Sequence, residues 1–208
     1  MPREQRTLEQ LLSPARMAPY LSATAGDRAR AIELYDWNTR IGAAFFESLH
    51  YLEVGLRNAL DDAASRHLGT HWLSPTSRTM TPRSRKTVVI ALGHAGGPSA
   101  PRGKLVAELP FGFWWSLLAD EYNRRLWQPA LQHAFEGAVR RRKLHAELDD
   151  LRRLRNRIAH HEPIHARALE SDFRRVVDIA TRIGTALGQH ITTTSRIPEV
   201  LAAQPRDA

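Results

Sequence analysis

The sequence predicts an all-α fold, on three observations. Apolar residues recur every three to four positions through most of the chain, turn signals are few, and strand-like alternation is rarer still. With 208 residues, one domain with an apolar core is expected. Residues 1–190 are assigned to it, followed by a flexible tail over 191–208.

The elements follow in order. "TLEQLL" opens with a capping box, Thr7 with Gln10 three residues on. Pro14 and Pro19 punctuate the short segments after it. From Asp27 to Leu68 runs one long helical pattern, expected to bend near Asp36 to Asn38 and to close at Gly69. A helix of about three turns is expected from Thr81, and "GGPSAPRG", residues 96–103, reads as a loop. Pro110 breaks the pattern ahead of Phe111, Phe113, Trp114 and Trp115. Such a cluster could stack unpaired bases, but core packing is the favoured reading. Trp114 and Trp115 lie about 100° apart on a helix and fit one wide apolar face. A last pair of helices is expected over 140–161 and 168–190. Pro163, which cannot continue a helix and pushes Glu162 out of the α region, separates them. From Thr192 onward the chain reads as a frayed tail. There is no internal repeat and no low-complexity tract.

Composition narrows the function classes. No apolar run approaches the roughly 18 to 20 residues needed to cross a bilayer, and mean hydropathy is -0.42, which predicts a soluble protein without a membrane partner. Residues 1–25 lack the pattern of a signal peptide. The chain has no cysteine, which excludes disulfides, thiolate metal sites and cysteine nucleophiles, and makes the cytoplasm the default location. A net charge of +8 favours polyanions such as RNA or DNA. The inference is diluted because nearly all the basic residues are arginine, spread along most of the chain, as a genome-wide arginine bias would also produce. Only Lys86, Lys104 and Lys143 are lysine.

Two helices each carry a charge where a core face is expected. With Leu151 at zero, projection at 100° per residue puts Leu144, Leu148, Leu154 and Ile158 within about 60°, and Arg155 at about +40°. With Leu49 at zero, Leu52, Leu56, Leu60 and Ala63 form the stripe. Glu53 falls at about +40° in it and Arg57 at about +80°, on its edge. A buried charge is costly unless paired. Glu53 with Arg155, or Glu53 with Arg57, are the expected pairs.

His160 stands five residues after Arg155 but about 140° around an ideal helix. The two converge only if the helix tightens or ends near Ala159, or if a second subunit completes the site. His161, at about -80°, is the fallback. Spacing alone carries no weight. With 10 histidines and about 27 arginines, chance supplies roughly four pairs at R-x4-H to R-x6-H. The chemistry such a pair supports is definite: histidine moves protons near neutral pH, and arginine holds a phosphate. RNA supplies its own nucleophile, so Arg155, His160 and a polar neighbour such as Asn156 could cut it without metal. His160, His161, Glu162 and His165 lack the HExxH order and a matching carboxylate cluster, so no metal is expected. Walker, GxSxG and dinucleotide-binding motifs are absent.

Three blocks, "ELYDWNTRIGAAFFESLHYLEVGLRNAL" (33–60), "LPFGFWWSLL" (109–118) and "LRRLRNRIAHHEPI" (151–164), together resemble the Abi-like abortive-infection proteins of bacteria. Their order and spacing match over roughly residues 20–185. That family is related to the HEPN superfamily, whose members include metal-independent ribonucleases acting as dimers. The resemblance implies a HEPN-like helical bundle with additional N-terminal and central helices, acting on RNA in phage defence as a homodimer without a cofactor. It leaves room for an antitoxin or regulatory protein. It also implies that Arg155, Asn156 and His160 form the R-x4-H motif, with Glu53, Arg57 and Asn58 structural or site-supporting. The alternative is a non-catalytic helical module that binds RNA, a nucleotide or a protein.

Overall fold

The computed structural model describes residues 7–205, and these form an all-α fold with no strand. Residues 1–6, at the start of the expected domain, and 206–208, at the end of the expected tail, lie outside the described residues.

The axis is helix α3 (Arg28–Leu68), preceded by α1 (Leu8–Leu12) and α2 (Pro14–Ala23). Thr7 and Gln10 form the expected capping box on α1, and Pro14 opens α2. Asp27 caps α3 by accepting from the Arg30 N–H, and Gly69 ends it with φ 77°. At 41 residues and 1.5 Å each, α3 is about 60 Å long. It continues as one uninterrupted helix through Asp36 to Asn38, where a bend was expected, and Trp37 and Asn38 are held there by distant partners. The Trp37 indole donates to the Val200 carbonyl at 2.7 Å, and the Asn38 amide oxygen accepts from the Ile164 and His165 N–H groups at 2.7 and 3.1 Å. Ile41, Phe45, Leu49, Leu52, Leu56 and Leu60 form its fully buried stripe. Each contributes roughly 1.5–3 kcal/mol of transfer free energy.

Next come α4 (Pro82–Ala95), which packs on α5 (Arg102–Glu108), and α6 (Phe111–Ser116) and α7 (Arg141–Ala159), which like α5 pack on this axis. Thr81 caps α4 as expected, and at 14 residues α4 is a turn longer than expected. Pro110 separates α5 from α6. Phe111, Phe113 and Trp114 enter the core. Trp115 is packed against α7: the His145 ring stacks on it at 4.7 Å, and the Arg152 guanidinium lies 4.5 Å from its centroid. Both occupy ring surface that a stacking base would need. The cluster is packing, and it clasps α6 to α7.

The helix expected over 168–190 is two, α8 (Leu169–Ile183) and α9 (Thr185–Thr194), interrupted at Gly184. The chain doubles back so tightly that a Cβ on Gly188 would lie 2.9 Å from the Thr181 Cα. The flexible tail expected over 191–208 is also corrected. α9 continues to Thr194, and α10 (Ile197–Ala202) follows, with Ile191 and Ile197 in the core. The physical reason is long-range: α10 docks on α3 through the Trp37 to Val200 hydrogen bond. Among the described residues, no helix is long and apolar enough to cross a membrane.

Candidate functional site

α7 buries Leu144, Leu148, Leu151 and Leu154 against the core, which leaves Arg155 at the edge of that face. Its Nε donates to a Glu53 carboxylate oxygen at 3.1 Å, with the two side chains 34% and 24% exposed. The charge in the α7 stripe thus finds the charge in the α3 stripe. Arg57 does not share Glu53; it reaches the Ala107 carbonyl at 3.4 Å, and its buried Nε has no hydrogen-bond partner among the described residues. Asn58 is exposed, about 180° around α3 from Leu49. The Arg155 guanidinium carbon stands 5.8 Å from the ring centre of Phe46, itself 45% exposed. The two η nitrogens of Arg155 make no hydrogen bond among the described residues. One edge of the guanidinium is fixed by protein, and the other is open to an anion.

The end of α7 decides where the histidines go. His161 has φ 56°, its N–H donates to the Ile158 carbonyl at 2.9 Å, and the Glu162 N–H donates to the Arg157 carbonyl at 2.8 Å. This is a Schellman closure with histidine where glycine is usual. The left-handed backbone costs a non-glycine residue about 1–2 kcal/mol. It persists because several side chains hold the turn. Arg16 donates to the His161 carbonyl, Arg157 donates to the Pro163 carbonyl at 2.7 Å, and Asn38 accepts from the two N–H groups that follow.

The reversal sends the two histidines to different places. His160 lines a groove of about 290 Å³ with Ser13, Arg16 and Pro19. His161 lines a cavity of about 690 Å³ walled by Tyr20, Asn38, Phe46 and Ile158. Phe46 therefore separates Arg155 from the cavity that holds His161, while His160 faces α2. Asn156 is half-buried; its carbonyl accepts the His160 N–H at 2.9 Å, and its side-chain amide makes no hydrogen bond among the described residues.

Sequence reasoning missed Phe46, Asn38, Tyr20 and Arg16. Asn38 was findable, since it projects at about -20° in the same apolar stripe as Glu53. Arg16 and Tyr20 carry no such signal. Burial raises the Tyr20 phenol to about 12, and its buried hydroxyl has no hydrogen-bond partner among the described residues. Burial, reinforced by Arg157, lowers the His165 imidazole, whose ring centre lies 5.2 Å from that of Tyr20. Among the described residues, no three histidine or carboxylate side chains are grouped so that they could hold a metal.

Comparison with protein-family models, with curated proteins and with solved structures gives no match.

Proposed function

We propose that the protein is a metal-independent endoribonuclease that acts as a homodimer in phage defence, in the cytoplasm, with room for an antitoxin or regulatory protein. The observation that carries the reading is Arg155: anchored by Glu53 and resting against Phe46, with η nitrogens that make no hydrogen bond among the described residues, while Phe46 also walls the cavity that His161 lines. The resemblance of three blocks to Abi-like proteins supports the RNA substrate, the dimer and the defence role.

In this mechanism Arg155 binds the non-bridging phosphate oxygens and stabilises the charge that grows on them in the phosphorane. A neutral histidine takes the 2′-hydroxyl proton while the 2′-oxygen bonds to phosphorus. The phosphorus to 5′-oxygen bond breaks, and the leaving oxygen takes a proton from a histidinium. The products are a 2′,3′-cyclic phosphate and a 5′-hydroxyl. Asn156 orients the phosphate or the attacking hydroxyl. Within one chain His161 is the histidine on the Phe46 side. His160 takes the role where two copies meet across a two-fold axis, as the family resemblance implies.

Arg155→Ala, His160→Ala and His161→Ala, each checked for helicity and oligomeric state, test this on RNA in the presence of EDTA. Loss of roughly a hundredfold or more is expected for Arg155→Ala and for at least one histidine variant. Full cleavage by both single histidine variants would sink the reading. One observation favours a non-catalytic binding module instead: neither the His160 nor the His161 ring has a hydrogen-bonded partner to orient it among the described residues. Under that reading His160→Ala and His161→Ala leave RNA, nucleotide or protein binding intact.

A further inference from the structure

Arginine occurs throughout the chain, but acid does not. Residues 63–107 contain seven lysines and arginines and no aspartate or glutamate, so they hold +7 of the formal +8. Elsewhere the arginines face an almost equal number of carboxylates.

Three of those seven cations are committed. Arg66 pairs with Asp62, Arg102 with Asp61, and Arg85 donates to the Ser77 and Met80 carbonyls. Arg78, Arg83, Lys86 and Lys104 are exposed, and their side chains have no carboxylate or hydrogen-bond partner among the described residues. α4 explains the presentation. It buries Ser84, Val88, Ala91 and Ala95, which turns Arg83 and Lys86 outward.

This face is joined to the candidate site. Arg83 and Thr87 line a cavity of about 770 Å³ whose wall also includes Ser116 of α6 and Arg152 of α7. Arg152 lies one turn before Arg155. Few acids oppose the field: Glu121 lies on the cavity wall, Asp149 is neutralised by Arg152 and Arg153, and Glu108 stands 4.0 Å from His94.

We propose that the outward face of α4 is the second half of an RNA-binding surface. Phosphates of one strand run from Arg155 past the Arg152 cavity to Arg83, Lys86 and Arg78. The assignment rests on the RNA-cleavage reading and adds where the substrate lies. A phosphate chain fits better than an acidic protein helix, because Val89 and Ile90, each 53% exposed, are the only large exposed apolar side chains of α4, too few to make the apolar groove in which an amphipathic helix lies. Two apolar residues are also too few for the broad apolar face with which a helix lies on a membrane.

The test is anisotropy of a labelled, uncleavable 2′-O-methyl RNA bound to the full chain over a range of salt. For Arg83→Gln with Lys86→Gln, the slope of log affinity against log salt should shrink by about 1.4, at roughly 0.7 per phosphate contact on a single strand. Arg174→Gln, an exposed arginine of α8, should leave the slope unchanged. An unchanged slope in the double variant overturns the proposal. So does an equal loss in Arg174→Gln, which means a diffuse field, or binding of polyglutamate in preference to RNA. If the wild type binds RNA through this face but cuts no unmodified RNA, the surface stands and the cleavage reading falls.

Discussion

His161 occupies, in a left-handed conformation, the helix-end position that glycine usually fills. Replacing it with glycine relieves about 1–2 kcal/mol of backbone strain and costs about 0.4–1 kcal/mol through the freer unfolded chain. His161→Gly should therefore raise stability by roughly 0.5–1 kcal/mol in urea denaturation. If His161 moves the proton, the same variant loses RNA cleavage, separating strain kept for chemistry from strain without purpose. At Arg155, lysine is no substitute, since it cannot bond Glu53 through Nε and a phosphate through η nitrogens at once. Arg155→Lys should keep the fold and lose most cleavage, with the loss in kcat more than in KM. The Glu53 to Arg155 pair was legible, because each charge broke an apolar stripe. The direction of His161 was not, because the sign of its φ depends on Arg16 and Asn38, far away in sequence.

Among the elements, the C-terminal helices depart most from the sequence reading. Thr192, Thr193 and Thr194 read as tail, but their hydroxyls donate back to carbonyls four residues earlier and satisfy themselves within α9. Ile197 then supplies the apolar contact that fixes α10. Ile197, Val200 and Leu201 do stand at the helical i, i+3, i+4 spacing, but a run of six residues is too short for periodicity to tell a docked helix from a tail. Gly188→Ala tests the packing of α9 on α8. Its Cβ would clash with the Thr181 hydroxyl and lie 2.9 Å from the Thr181 Cα, and because a Cα is backbone the helices must shift. A loss of about 1–3 kcal/mol is expected in thermal or urea unfolding. Trp37→Phe removes the indole bond to Val200, which should cost about 1 kcal/mol and raise hydrogen exchange selectively in α10.

Across the whole molecule, acid should loosen the fold before it reaches the carboxylates. Burial lowers His145 and His165 from their ordinary value near 6.5. Between each depressed value and 6.5 the unfolded chain holds a proton that the folded chain refuses, so stability rises with pH through that window and is flat above it. Urea midpoints should therefore fall on going from pH 7.5 to below 6, and His165→Gln should flatten part of the change. Equal midpoints would show that neither ring is held neutral by the fold. Helix number near α3 and the core stripe were readable from hydrophobic spacing, whereas the joining of α4, α6 and α7 around one cavity depends on contacts no local pattern encodes.

The most direct measurement is end-group analysis of RNA incubated with the protein in EDTA. The Arg155 and histidine mechanism predicts cleavage that leaves 2′,3′-cyclic phosphate and 5′-hydroxyl ends and disappears in Arg155→Ala. Cleavage abolished by EDTA, products ending in a 3′-hydroxyl, or undiminished cutting by Arg155→Ala would contradict it.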